Sequence, residues 1–550
     1  MIALIRRILT TIKEELKTII ADYEIEDIPA IEIETPKDPA FGDFSTNLAM
    51  RLAKRARKNP RALAAKIVER LDCRKLNLEK VEVAGAGFIN FYLDRRYLSR
   101  VVFQILNEKE DFGASDIGRG VKVNLEFVSA NPTGYLHIGH GRGAAYGDSL
   151  ARVMRKAGYE VATEHYVNDA GNQVHNLALS IYERYKELFG LPCELGPDGY
   201  YGLEIIEIAK LIKEEKGDYY LHNEWYDDIR SFGLEYLLDG LKRDLREFNV
   251  EFDVWFSEKS LYDSGEVQRV VDYYKAKDYV YEADGALWLK TTLRGDDKDR
   301  VIVKSDKNFT YITPDIAYHA NKINRGYNYL IDVLGADHHG HILPLKIALE
   351  LLGYDTENIH IEILQMVRVI QGGEEVKMSK RSGKAITLRD LIDEVGSDAL
   401  RFMYVEKALS THIDLDLDLA VKKSNENPVY YVQYAYARIC SLFRVLTEQG
   451  LTYEPVKEFK VLDVAKAKDL LLGLAVYPLY VEEAAGKRLP HKIAQYLLLL
   501  ASGLHSFYNS EKIITDDPLE TAEKMTLMDA VRTVLKNGLD LIGVSVKERM

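Results

Sequence analysis

The sequence is short of cysteine: Cys73, Cys193 and Cys440 are the only three in 550 residues, far apart and with no CxxC pair. That excludes a disulfide scaffold and a cysteine zinc ribbon and fits a reducing compartment, so a cytoplasmic protein is expected. Long apolar runs are also missing. The longest, Leu470 to Val481, is interrupted by Pro478 and is too short to span a bilayer, so no membrane partner is expected. Met1 to Leu16 has charges scattered through it and no cleavage signal, unlike a secretory leader. Positive charge is in deficit, with 73 Lys and Arg against 86 Asp and Glu and a net charge of −13. Taken alone, that argues mildly against a nucleic-acid partner, because phosphate neutralisation favours basic surfaces. The chain has no internal repeat and no low-complexity segment.

What is present is apolar content for several cores, enough for three or four domains at roughly 100–200 residues each. Residues 1–110 read as a separate module. Leu4, Ile5, Ile8, Leu9 and Ile12 fall at helical spacing, and residues 47–67 read as one or two helices broken at Asn59-Pro60. This second stretch carries Arg51, Lys54, Arg55, Arg57, Lys58, Arg61 and Lys66, with no acid between Arg51 and Lys66. So local an excess suits an RNA backbone, or a solvated helix face. Phe41 and Phe44 suit stacking on an unpaired base, or packing in the core.

The stretch from Glu126 to Gln173 organises the chain. The apolar run Val121 to Val128 suits a buried strand, the turn Asn131-Pro132-Thr133-Gly134 follows, then His137-Ile138-Gly139-His140 and a helix-like run from Ala144 to Ala157. A helix start carries unpaired N–H groups and partial positive charge, so phosphates settle there, and Gly139 lets a nucleotide lie on the backbone. His137 and His140 stand three apart, on one side of a helical turn, and each can donate a hydrogen bond to a phosphate oxygen. The same HxxH spacing also suits two structural histidines or two metal ligands. A second strand signal, Glu160 to Val167, alternates with the helix signal, as in a parallel sheet with crossover helices.

Far downstream lies Val376-Lys377-Met378-Ser379-Lys380-Arg381-Ser382-Gly383-Lys384, a basic loop of small residues. Two lysines three apart clamp a triphosphate and follow charge as it moves to a leaving pyrophosphate. Its pairing with HIGH, in this order and at this separation, makes two unrelated coincidences improbable.

HIGH followed by an intact KMSK resembles the class I aminoacyl-tRNA synthetases. The longer match is narrower. EFVSANPTGYLHIGHGRGAAYGD, YVNDAGNQ, DIAYH, GADHHGH, QMVRV and NPVYYVQYAYARI resemble the arginyl-tRNA synthetases from about Phe41 to the C-terminus. The resemblance implies a multidomain α/β protein: an α+β N-terminal tRNA-contacting module at 1–110, a Rossmann-like parallel-sheet catalytic domain at 111–425 with an insertion at about 191–300, and an all-α anticodon-binding domain of the DALR type at 426–550. It implies a monomeric arginine–tRNA ligase whose partners are ATP with Mg²⁺, L-arginine and the tRNA for arginine, with no tightly bound protein-ligated metal.

Residue by residue, the resemblance gives His137, His140, Lys377 and Lys380 the catalytic role. It gives His137, Gly139, His140, His338, Met366, Val367, Lys377, Ser379 and Lys380 to ATP, the backbone at Met366 and Val367 reading the adenine edge. Arginine falls to Glu126, Asn131, Tyr311, Asp315 and Asp337, and tRNA to Phe41, Asn47, Tyr431 and Arg438. The residue types fit. A guanidinium wants planar acceptors and an aromatic wall, and Tyr311 and Asp315 share a helical face. Glu126, a carboxylate in an apolar strand, needs a partner, either the substrate or a buried salt bridge. The Asp337-His338-His339-Gly340-His341 cluster also admits a metal reading. Two rivals stand beside this one. Another HxGH enzyme would lack the acid-and-tyrosine pocket or the helical RNA domain, and an RNA-binding protein with a dead core would have lost HIGH or KMSK.

Overall fold

The computed structural model describes residues 4–23, 25, 28–36, 38–376 and 386–550. Its centre is a parallel sheet of five strands: β1 (Lys122–Glu126), β2 (Glu160–Val167), β3 (Val254–Ser257), β4 (Tyr329–Gly335) and β5 (Ile359–Leu364). They stand in the order β5-β4-β1-β2-β3, all parallel. The chain builds outwards from β1 through β2 to β3, then returns to lay β4 on the other side of β1. The order therefore reverses between β1 and β4, and open α/β sheets bind ligands beyond the strand ends at such a point. The helices Ile138–Lys156 and Ile312–Asn324 are two of the crossovers. The Rossmann-like parallel sheet expected from the sequence is present.

Two corrections concern element boundaries. The helix after HIGH begins at Ile138, six residues before Ala144, so that HIGH forms its first turn. Gly139, Gly141 and Gly143 disfavour helix in isolation, but packing overrides propensity: a Cβ on Gly141 would stand 2.8 Å from Leu388, and one on Gly147 2.2 Å from Phe127. The stretch 191–300, read as one insertion, is divided. Helices Leu203–Lys216 and Tyr226–Glu247 close their own apolar cluster with Leu177 and Ile181, whereas Val254–Ser257 pairs with β2 and belongs to the sheet. The four residues Val254-Trp255-Phe256-Ser257 show no alternation that marks a strand.

Before the sheet, residues Phe44–Thr46, Leu78–Ala84 and Phe88–Leu93 form an antiparallel sheet with helices Leu4–Ala21, Leu48–Ala53 and Pro60–Arg70. After it, helices Pro428–Glu448, Lys468–Gly486, His491–Ser510 and Pro518–Leu541 complete the chain. The last of these is tied to the HIGH helix through buried Arg401. Its guanidinium donates to Ile542 O at 3.0 Å, Phe248 O at 2.9 Å and the Asp148 carboxylate at 2.5 Å. No helix among the described residues is long and apolar enough to cross a membrane.

Candidate active site

A cavity of about 1080 Å³ opens beyond the C-terminal ends of β1, β2, β3 and β4. Its wall begins where β1 ends. Val128 and Ser129 take left-handed backbone, φ 68° and 37°, a conformation a β-branched residue rarely holds. The turn is fixed by Ser129, whose hydroxyl donates to Glu126 Oε1 at 2.8 Å and accepts the Tyr166 N–H at 3.1 Å.

The histidines form the other wall. His137 is the N-cap of the helix, and its Nδ1 accepts the Gly139 N–H at 3.0 Å. His140 Nδ1 accepts the His137 N–H at 3.2 Å, and the two rings stack with centroids 3.6 Å apart. A ring nitrogen that accepts an amide N–H cannot carry the proton, so each imidazole keeps its hydrogen on Nε2 as a donor. Burial lowers the pKa of both, and the neighbouring His137 helps take His140 down to about 3. They act at neutral pH as hydrogen-bond donors without charge.

Acids line the floor. The Asp315 carboxylate has no hydrogen-bond donor among the described residues, and burial pushes its pKa up. Glu258, the first residue after β3, is 8 % exposed. Its neighbours are the hydroxyls of Tyr262, at 3.4 Å, and of Tyr166, and the like charges of Asp315 and Asp169; burial raises its pKa to about 7. Deeper lies a fully paired network. Lys322 Nζ donates at 2.6 Å to both Glu126 and Asp332, and Asp332 also meets His319 Nε2 at 2.9 Å. Glu126 thus lines the cavity with both oxygens already engaged by Lys322 and Ser129.

Of the residues assigned from the sequence, Glu126, Asn131, His137, Gly139, His140, Tyr311, Asp315, Asp337 and His338 line this one cavity. Tyr311 stands at the mouth, 63 % exposed, its hydroxyl 2.7 Å from His341 Nδ1. Asp337 and His338 sit on the turn Ala336–His341 that follows β4, with 3.5 Å between carboxylate and imidazole. His338 and His341 meet edge to face with centroids 6.2 Å apart, and among the described residues no group of three or more His, Cys, Asp or Glu stands close enough to hold a metal ion. Met366 and Val367 lie just beyond the lining residue Leu364, Met366 being 69 % exposed. Buried Arg142 of the HIGH helix holds this strand end by donating to Gln365 O at 2.8 Å and Ala408 O at 2.9 Å. Lys377, Ser379 and Lys380 fall outside the described residues. The chain that follows them returns to the histidines, where the Leu388 N–H donates to Leu136 O at 2.7 Å and Thr387 bridges to His137.

Sequence reading missed Glu258, Tyr166 and Tyr262. The one signal for Glu258 was an acid directly after the run Val254-Trp255-Phe256-Ser257, in the stretch read as an insertion.

The residues assigned to RNA lie elsewhere. Phe41 is 52 % exposed, whereas Phe44 is 2 % exposed and belongs to the core; Asn47 precedes the helix Leu48–Ala53. Tyr431 and Arg438 meet on His505: the Tyr431 ring lies 4.6 Å from the imidazole, and Arg438 donates to Nδ1 at 2.9 Å. Arg438 also caps the Tyr508 ring at 3.9 Å.

Residues 6–93 match the family model described as arginyl tRNA synthetase N terminal domain, residues 101–417 the catalytic domain of class I (R) tRNA synthetases, and residues 432–550 the DALR anticodon binding domain. The arginine–tRNA ligase of Bacillus cereus (strain ATCC 10987 / NRS 248) is 50 % identical over 546 residues, 98 % of each chain. That of Bacillus subtilis (strain 168) is 49 % identical over 546 residues, again 98 % of each. The fold superposes on the arginyl-tRNA synthetase of Thermus thermophilus with a TM-score of 0.75 at 22 % identity, covering 98 % of this chain and 100 % of that one.

Proposed function

The chain belongs to the arginyl-tRNA synthetase family and is an arginine–tRNA ligase, and from that premise we propose how its cavity divides the work. Asp315 and Glu258 take the guanidinium from two sides, Tyr311 and Asn131 bound the pocket, and Glu126 shapes it through Lys322 and Ser129. Asp337 takes the α-ammonium group or a ribose hydroxyl. ATP, brought with Mg²⁺, lies along Gly139 with its phosphates at the Nε2–H donors of His137 and His140. His338 reaches the nucleotide, and the backbone of Met366 and Val367 meets the adenine edge. Lys377, Ser379 and Lys380 follow the β- and γ-phosphates.

In the first step a carboxylate oxygen of arginine bonds to the α-phosphorus as the bond to pyrophosphate breaks. That carboxylate is already a nucleophile, so the protein supplies position and charge stabilisation and no general base is required. In the second, a hydroxyl of the terminal adenosine attacks the arginyl carbonyl and AMP leaves. Three modules share the labour: 1–110 and 426–550 hold the tRNA, through Phe41 and Asn47 in one and Tyr431 and Arg438 in the other, and 111–425 does the chemistry. We assign the enzyme as a cytoplasmic monomer on resemblance alone.

The observation that carries the pocket assignment is a pair of acids that no cation among the described residues meets. A half-buried carboxylate with no donor, beside a buried one held near neutrality, is a costly arrangement unless a cation comes to it. Lysine, with a point ammonium, cannot serve both acids as a planar fork does.

This makes arginine binding pH-dependent in a definite sense. In the free cavity Glu258 binds a proton below about 7 and must release it to meet the guanidinium. The KM for arginine should fall as pH rises from 6, by up to about tenfold per unit below the pKa, and level off above it. In Glu258→Gln the KM should be higher and flat over the same window. Parallel profiles in the two proteins would remove Glu258 from the pocket.

A further inference from the structure

We propose that the turn Lys304–Phe309 is where the 3′-terminal nucleotides of the tRNA dock, with Lys304 and Lys307 set against the phosphodiesters next to the terminal adenosine. The proposal rests on the ligase reading of the cavity and names a surface that reading does not supply.

The charge on the cavity wall is divided. Glu126, Glu258, Asp306, Asp315, Asp332 and Asp337 line it, and among its described lining residues Lys304 and Lys307 are the sole lysines or arginines. Lys304 acts on the Asp306 carboxylate, and no salt bridge to either lysine is seen among the described residues, although the protein carries more acids than bases, 86 against 73. Both side chains are exposed.

The turn holds them in place. Val303 bridges to Phe309, Lys304 N–H donates to Asn308 O at 2.8 Å, and Lys307 N–H donates to Lys304 O at 3.0 Å. Lys307 takes left-handed backbone at φ 71°. Asp306, the exposed acid between them, accepts the Asn308 N–H at 2.9 Å, and that bond, helped by the Lys304 charge, holds its carboxyl below the ordinary range, so the turn keeps a net positive charge of one.

Two of the three substrates do not fit there. Arginine is a cation and is repelled by lysines. The phosphates of ATP belong with the histidines on the HIGH helix, whereas the turn roofs the acid end, its Phe309 ring 6.2 Å from that of Tyr262, the tyrosine on Glu258. The third substrate is a polyanion that enters from outside and must bring only its last ribose to the arginyl carbonyl. Its preceding phosphates then remain at the rim, where the two lysines stand.

The test is tRNA binding by the whole protein as a function of salt. It uses the intact tRNA for arginine and the same tRNA trimmed of its unpaired 3′ nucleotides, with the unaltered chain and with Lys304→Ala/Lys307→Ala. Two single-strand phosphate contacts contribute about 1.4 to the slope of log Kd against log salt. We expect the variant to lose about that much slope on intact tRNA, to match the unaltered chain on trimmed tRNA, and to keep its KM for ATP. An equal slope on intact tRNA would overturn the proposal. So would an equal loss on trimmed tRNA, which would put the lysines elsewhere on the RNA, or a raised KM for ATP with tRNA binding unchanged. If the unaltered chain charged no tRNA with arginine at all, the ligase reading would fail and the proposal with it.

Discussion

Asp315→Ala should raise the KM for arginine by about 30- to 5000-fold and leave the KM for ATP within about threefold. The expectation follows from what removal leaves behind. Truncating one partner of a buried, hydrogen-bonded charge pair costs about 2–5 kcal/mol, largely because the other charge stays desolvated and unpaired. Here the other charge is the substrate's guanidinium, since no described protein donor meets the Asp315 carboxylate. The effect should fall mainly on arginine because His137 and His140, whose Nε2 donors meet the phosphates of ATP, stand on a different wall. Asp315→Asn, which keeps the shape and loses the charge, should lie between. Steady-state arginine and ATP titrations decide it, and an unchanged KM for arginine in Asp315→Ala would move the guanidinium to another part of the cavity.

Lys322→Met should be the most damaging single change to stability. Lys322 is fully buried and neutralises two buried acids at once, Glu126 and Asp332, at 2.6 Å each. Removing it leaves at least one buried charge uncompensated, at a cost of about 3–5 kcal/mol. With a denaturant slope of about 3 kcal/mol per molar, the urea midpoint should fall by roughly 1 M or more. Glu126→Gln in the same chain should recover part of the loss, because Asp332 keeps His319 at 2.9 Å.

The pH dependence also has a fixed sign. In the native protein Lys322 and His319 hold the Asp332 pKa well below the usual carboxylate range, so this ionised group stabilises the fold above its unfolded pKa and loses that contribution as pH falls through the folded value. In Lys322→Met the acids left unpaired have raised folded pKa values and destabilise when ionised. The deficit relative to the unaltered chain should therefore shrink from pH 8 to pH 5. A midpoint unchanged at pH 8 would show that water, and not Lys322, serves these carboxylates.

Much of the site was legible because its residues cluster in sequence where strands end. The order strand, turn, histidines, helix could be read from residues 121–157, and the acid in β1 was conspicuous as an acid. Its partner was not, since Lys322 lies 196 residues away on a helix whose position depends on the sheet order. Glu258 escaped for a related reason. It becomes a site residue only because Val254–Ser257 adds to the edge of the sheet beside β2, and four residues without clear alternation do not announce a strand. The start of the HIGH helix was masked by glycines that local propensity counts against helix, although packing against Leu388 and Phe127 requires Gly141 and Gly147. Aromatic residues showed the same limit: Phe41 and Phe44 look alike in sequence, and only the fold separates an exposed ring from a core one.

The central claim is that this cavity activates arginine. The measurement that tests it most directly is amino-acid-dependent ATP–pyrophosphate exchange by the whole protein, with and without the tRNA for arginine. The account predicts exchange with arginine and not with lysine, in the presence of tRNA. Exchange that proceeds equally without tRNA would keep arginine as substrate and make the site complete before RNA docks. No exchange with arginine under either condition, while another amino acid supports it, would contradict the pocket and leave only the nucleotidyl chemistry of the two signatures.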